Sequence, residues 1–414
     1  MTEPFPRLLS VWLTALTLVT GPVCGEPAPE PESTAVQVHG FVSQSVAHTS
    51  ANRFAGSSTD TSYAFRSMAI NASYQADPDL LFAVELGSHR FGNSNHGTPQ
   101  IDYALVDYRV LDLANSQLGL RAGRVKNPIG LYNETRDVPT TMPSILLPQS
   151  IYLERSRALL LASDAVFLRG THANQYGHWS MDAGLGYPQA NDEETERAVL
   201  LNRNWAGNLD ADISALIRLF YETADGQLRF VGTHADARMD FDAQPSDQAF
   251  GLNSGHIEIS YDMFSAQYES LNWSLTAELL RTRSVVSGFG AVLPDTVVEG
   301  DNFYLQGSWR PRYDLEFFAR YDQTIHDNDD PDGKAAAARS PALIASGLPG
   351  IAAHNNYGRD WTIGGRWNLD AAWTLRAEHH WVEGTTWLGR TDNPDLATTD
   401  ENWRLFLMSV EYRF

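Results

Sequence analysis

Residues 402–414 read Asn-Trp-Arg-Leu-Phe-Leu-Met-Ser-Val-Glu-Tyr-Arg-Phe. Phe406, Met408, Val410, Tyr412 and Phe414 fall on one face of an extended strand, with Ser409, Glu411 and Arg413 on the other. Successive side chains of a strand point to opposite faces, whereas a helix gathers its apolar groups every third or fourth residue. Charges set one for one against large apolar groups suit a strand with lipid on one side and water on the other.

The alternation recurs upstream. Phe303, Leu305 and Trp309 alternate with Asn302, Tyr304, Gln306 and Ser308, and Leu315, Phe317, Ala319 and Tyr321 with Glu316, Phe318, Arg320 and Asp322. Trp373, Leu375, Ala377 and Trp381 alternate with Thr374, Arg376, Glu378 and His380; Trp179, Met181, Ala183, Leu185 and Tyr187 do so with Ser180, Asp182, Gly184 and Gly186. Short turn signals, such as Ala76–Asp79, Asn174–Gly177 and Pro311–Asp314, take turns with long polar stretches such as 127–164, 188–208 and 326–358. Seven short and eight long connections predict sixteen strands: 36–46, 62–75, 80–90, 101–110, 117–126, 165–173, 178–187, 209–223, 227–237, 254–270, 273–283, 300–310, 315–325, 359–368, 372–386 and 402–414. The expected fold is all-β, a sixteen-stranded antiparallel transmembrane barrel with short periplasmic turns and long extracellular loops. A soluble sandwich alternates too, but its strands would bury both rows against a dry interior, and it has no reason for two classes of loop length.

The remainder of the chain agrees. Residues 1–25 read as an export signal, with Arg7 ahead of an apolar run from Leu8 to Val19 that is too short to span a bilayer. Residues 26–35 are Pro- and Glu-rich, a disordered periplasmic lead-in to a single barrel domain over 36–414. Cys24 is the one cysteine, so the mature chain has no disulfide framework, thiolate metal cluster or cysteine nucleophile. A net charge of −21 excludes nucleic acid as a partner, because phosphate binding needs basic surface. None of the 12 histidines lies in a G-x-S-x-G elbow or an H-E-x-x-H pair. The doublet His379-His380 points to opposite faces of a strand and cannot chelate as a pair. No catalytic residue, metal or cofactor is expected.

The ending Ser409-Val410-Glu411-Tyr412-Arg413-Phe414 resembles the C-terminal signature of Gram-negative outer-membrane proteins. The resemblance implies an outer-membrane location, with Phe414 as the signal read by the barrel-assembly machinery. A second stretch, from Arg121-Ala-Gly-Arg124-Val-Lys126-Asn-Pro128 through Arg136-Asp137 to Leu147-Pro148-Gln149-Ser-Ile-Tyr152, resembles the strand-into-loop passage of the phosphate-selective and carbohydrate-type porins. It implies that loop 127–164, which follows the fifth strand, folds inward as a constriction, and that the chain forms a homotrimer. With only two lysines, Lys126 and Lys334, the chain departs from the lysine-rich lumens of phosphate-selective porins. The scaffold and the loop role are therefore carried over, and the phosphate preference is not.

Seven basic residues (Arg121, Arg124, Lys126, Arg136, Arg155, Arg157, Arg169) stand against four acidic ones (Glu134, Asp137, Glu154, Asp164) between 121 and 169. In a lumen, this excess either favours anions or ties the loop to the wall. The alternation also turns Arg109, Arg218, Arg229, Arg320, Arg366 and Arg376 inward, with Glu85, Asp107, Asp182, Glu258, Glu278, Glu316 and Glu378, as facing rows of opposite charge. The acidic run Asp327, Asp329, Asp330 and Asp332 reads as a solvated loop near lipopolysaccharide rather than a calcium loop. The function expected is passive diffusion of small hydrophilic solutes, favouring anions at the constriction. The alternative is a closed barrel serving as an adhesin or an outer-membrane enzyme.

Overall fold

The computed structural model describes residues 36–138 and 141–414; the expected signal and lead-in lie outside the described residues. Sixteen strands make one closed antiparallel sheet in chain order. They are β1 (Gln37–Thr49), β2 (Ser62–Asp77), β3 (Leu80–Phe91), β4 (Gln100–Leu113), β5 (Ser116–Lys126), β6 (Ala162–Asn174), β7 (Gly177–Pro188), β8 (Asn208–Asp212 and Ser214–Thr223), β9 (Leu228–Asp242), β10 (Gly255–Glu269), β11 (Trp273–Ser287), β12 (Thr296–Arg312), β13 (Leu315–Ile325), β14 (Tyr357–Asn368), β15 (Trp373–Gly384) and β16 (Asn402–Arg413). A two-residue ladder, Asn95–His96, extends β3 within a loop. The break in β8 has a local cause. The Asp212 carboxylate takes the Ile213 N–H at 2.6 Å, which removes that donor from the ladder.

The sheet closes where β1 pairs with β16, from Phe41 opposite Arg413 to Thr49 opposite Leu405. Gly40 and Phe414 exchange two backbone hydrogen bonds of 3.0 Å. A Cβ on Gly40 would lie 2.4 Å from the Phe414 ring, so glycine lets the terminal aromatic lie flat across the seam.

The rows that alternate in the sequence separate as expected. Phe406, Met408, Val410, Tyr412 and Phe414 lie exposed on the outer surface, and Ser409 and Glu411 lie buried inside. Aromatic pairs flank the apolar band: Trp179–Tyr221 at 4.2 Å, Tyr268–Trp273 and Trp373–Tyr412 at 4.8 Å near the short turns, and Tyr321–Trp361 at 4.8 Å toward the long loops. These are the amphipathic rings of a membrane-spanning barrel.

The interior toward the long loops departs from a simple polar lumen. Leu405 and Leu407 of β16 face inward and pack with Phe54, Leu146, Trp387 and Leu388 from three loops. Leu200, Leu252 and Phe289 from three other loops pack on Met239, Phe241 and Ile257. The long loops thus carry apolar cores of their own. Outward charges also run along the loop-side ends of β9–β12: His234 meets Asp262 at 2.8 Å, Arg281 meets Asp301 at 2.8 Å, and Arg238 meets Glu258 at 3.4 Å. Glu258, expected inside, therefore faces outward, because the buried neighbour Ile257 takes the inner position.

Candidate constriction in the lumen

The loop after β5 runs over 127–161, because β6 starts at Ala162. Its neck is closed by Asn127 N to Leu161 O at 2.9 Å, with the Asn133 amide donating to Asn127 O and Leu160 O at 2.9 and 2.8 Å. Gly130 then turns the chain inward at φ +57°; a Cβ there would meet Met263, Tyr152 and Glu278 within 2.7 Å. Only glycine fits both the left-handed backbone and that approach.

Inside, the loop is held by its peptide groups. Glu278 of β11 accepts Leu131 N at 3.1 Å, together with the hydroxyls of Tyr152 at 2.8 Å, Ser265 at 2.6 Å and Tyr304 at 2.7 Å. Asp322 of β13 accepts Gln149 N at 2.6 Å and Ser150 N at 3.1 Å. Glu378 of β15 accepts Ile145 N at 2.7 Å and Leu146 N at 3.0 Å. The wall arginines take the loop's carbonyls: Arg320 donates to Leu146 O at 3.1 Å, Arg366 to Met142 O at 3.3 Å and Arg376 to Ser144 O at 2.8 Å. An irregular loop in a barrel leaves peptide groups without ladder partners, and each charge-assisted bond meets one such need at about 1.5–3 kcal/mol.

The other end of the loop is latched to β3 and β5. Lys126 bridges Glu85 at 3.0 Å and Asp137 at 2.9 Å, and Arg157 pairs with Asp137. Glu154 joins Arg136 at 2.9 Å and His89 at 2.7 Å. Burial alone would raise the Glu154 carboxyl, but Arg136 and His89 hold it down at about 2. Burial, with Arg136 beside it, lowers Arg157 to about 9. The carboxylates of Glu85, Asp102 and Asp137 come within 4.8 Å of one another, a spacing a cation could bridge. Lys126 and Arg157 already supply the positive charge there.

Across β4–β8 the charges run as an interleaved ladder. Arg121 pairs with Asp107 at 2.6 Å, Arg169 with Asp107 at 3.0 Å and Asp182 at 2.8 Å, and Arg218 with Glu134 of the loop at 2.7 Å. Opposite charges therefore touch along one wall instead of facing each other across the lumen. Arg109 is a rim group at the short-turn end, bound to Asp79 at 2.8 Å and Asp112 at 2.9 Å. Arg124 departs from expectation: it lies on the outer face and pairs with the half-exposed Asp164 at 2.8 Å. Inner and outer rows alternate, and Arg121 and Val125 take the inner positions on that strand. Arg155 donates to Thr386 O at 3.1 Å and, among the described residues, meets no carboxylate within ion-pair distance.

His380 and His379 do point to opposite faces: His380 is buried between Asp360 at 2.8 Å and Glu378 at 3.0 Å, while His379 meets Trp381 edge to face at 4.5 Å. In the acidic run, Asp330 caps the following helical turn through Ala335 N and Ala336 N. The sequence reading placed Glu278 and Glu378 inside, and it had no signal that they, with Asp322, bind loop backbone. It also passed over Arg390, treated below.

The fold defines a class, a sixteen-stranded antiparallel barrel of the outer-membrane porin fold, here with one loop turned into its interior. No protein-family model matches the chain, and no curated protein matches it by sequence. Solved structures do. OmpT of Vibrio cholerae superposes with a TM-score of 0.56 at 12% identity, covering 92% of this chain and 97% of that one. OprB of Pseudomonas putida gives 0.54 at 11% identity over 92% and 94%, and the outer membrane channel DcaP of Acinetobacter baumannii gives 0.53 at 10% over 92% and 97%. At these identities the likeness is one of fold.

Proposed function

We propose that this barrel is a passive diffusion channel for small hydrophilic solutes, with loop 127–161 as its constriction and a mild preference for anions. The observation that carries the reading is the clasp of that loop by Glu278, Asp322 and Glu378, which fixes an irregular segment inside the sheet instead of leaving it over the membrane. The resemblance of residues 121–152 to a porin strand-into-loop passage supports the same role, and DcaP, titled an outer membrane channel, shares the fold. We assign no catalytic step to the buried histidines, because the carboxylates beside His380 also hold backbone and a threonine hydroxyl. A homotrimer, a lipopolysaccharide surface and delivery by the barrel-assembly machinery complete the proposal.

The test is single-channel recording of the purified full chain in a planar bilayer. Discrete, steady conductance steps are expected, and deletion of residues 142–150 should enlarge them. A correctly folded barrel without steps would overturn the channel reading.

A further inference from the structure

Four loops converge over the lumen and bring together Arg155, Glu194, His326 and Arg390. Arg155 is fixed by its Nε–H to Thr386 O at 3.1 Å. Arg390 is fixed by its backbone: its N–H donates to Glu194 Oε1 at 2.5 Å, and Thr391 N donates to Oε2 at 3.0 Å. Glu194 also accepts the hydroxyls of Thr391 at 2.8 Å and Ser94 at 3.0 Å, so its lone pairs are occupied by neutral donors. Its carboxylate positions the Arg390 backbone and leaves the guanidinium unmatched.

The two arginines are unlike most of those lower in the lumen, where Arg121, Arg136, Arg157, Arg169, Arg218, Arg366 and Arg376 each meet a carboxylate and Arg320, without an ion pair among the described residues, is taken up by Leu146 O and Gln306 Oε1. Neither Arg155 nor Arg390 meets a carboxylate among the described residues, and Nε and Nη1 of Arg390 are buried without any acceptor. Two partly buried guanidiniums without a counter-charge repel one another, and the unsatisfied inner nitrogens of Arg390 add a desolvation cost. Crowding by the surrounding loops, then the charges of Arg155 and Arg390, lower the pKa of the imidazole of His326, a residue that keeps an open face to solvent.

We propose that Arg155 and Arg390 form an anion-binding site in the loop-side vestibule, taking small carboxylates or phosphate as solutes approach the constriction. A carboxylate or phosphate supplies the missing acceptors and suits the two-pronged geometry of a guanidinium. Glu194 is 1% exposed and already holds four neutral donors, so the guanidiniums rather than this carboxylate face an arriving solute. The inference rests on the channel reading only for its role in passage, since binding itself is measurable in a barrel that does not conduct.

The experiment compares the full-length wild type with Arg155→Gln and Arg390→Gln in two measurements. The first is calorimetric titration of the detergent-solubilised barrel with inorganic phosphate and with acetate. The second is the reversal potential under a potassium chloride gradient in lipid free of lipopolysaccharide, which removes lipid A phosphate as the anion source. We expect phosphate to bind the wild type and to bind each variant about tenfold more weakly, as for a lost charge-assisted pair. The reversal potential should move toward cations in both variants. Arg390→Lys, which keeps the charge and covers the case that glutamine impairs folding, should retain the selectivity while weakening phosphate binding. Phosphate heats equal in wild type and Arg390→Gln, with an unchanged reversal potential, would overturn the site. Phosphate binding in a wild type that gives no conductance steps would keep the site and sink the channel reading instead.

Discussion

Two walls of the same lumen use charge in different ways. On β11–β15, Glu278, Asp322 and Glu378, with Arg320, Arg366 and Arg376, reach out to the loop and bind its peptide groups. On β4–β8, Arg121, Asp107, Arg169 and Asp182 bind one another along the wall. The first arrangement builds an object inside the barrel. The second neutralises a buried polar surface in place. Charge composition alone does not separate these outcomes; what differs is whether unpaired backbone lies within reach.

If that contrast is right, the largest effect should come from the clasp. Glu278→Ala strands one backbone donor and three hydroxyls, and should lower stability by about 3–5 kcal/mol. Thermal unfolding in detergent measures this, and limited proteolysis should find new cleavage within 127–161. Unchanged melting and protection would show that the clasp is incidental. Acid should open the opposite latch. Since the Glu154 carboxyl is held below its ordinary 4.5, at about 2, its contribution is complete above pH 4.5 and fades as pH falls toward 2. Cleavage of the loop near pH 3, absent at pH 6, would reveal it. On the ladder wall, Asp107→Asn should destabilise less, by about 2 kcal/mol, because Arg169 keeps Asp182. The reversal potential should move toward anions without a change in loop protection. Gly130→Ala, at the inward turn, should lose about 1–2 kcal/mol through left-handed backbone strain together with the crowding of its Cβ against Met263, Tyr152 and Glu278. Arg124→Gln should do least: an exposed outer pair is worth under about 1 kcal/mol, and ion selectivity should stay at the wild-type value. A selectivity change there would place Arg124 in the permeation path after all.

The barrel was legible because lipid and lumen impose opposite chemistry on alternate residues, as Phe406 through Phe414 display. That signal fails where both faces carry charge. On the loop-side ends of β9–β12 and at Arg124 the outer row is ionic too, and the pattern has no sign to say which row turns inward. It fails again where the inner row is apolar, as at Leu405 and Leu407, because there the interior holds folded loops rather than water. The inward loop was legible from its length and place after the fifth strand, but its fastening was not. Glu278 and Asp322 bind N–H groups that every residue type carries, so the partner leaves no mark in the sequence. Arg390 sits in an irregular loop whose neighbours come from three distant segments.

The clasp grips the peptide groups of residues 142–150 while Met142, Leu146 and Leu147 of the same segment sit in apolar cores, so its backbone route and its side-chain packing are fixed together. Within it only Pro143 and Ile145 stay partly open, so substitution at those two positions changes what the segment presents while its route through the interior stays fixed.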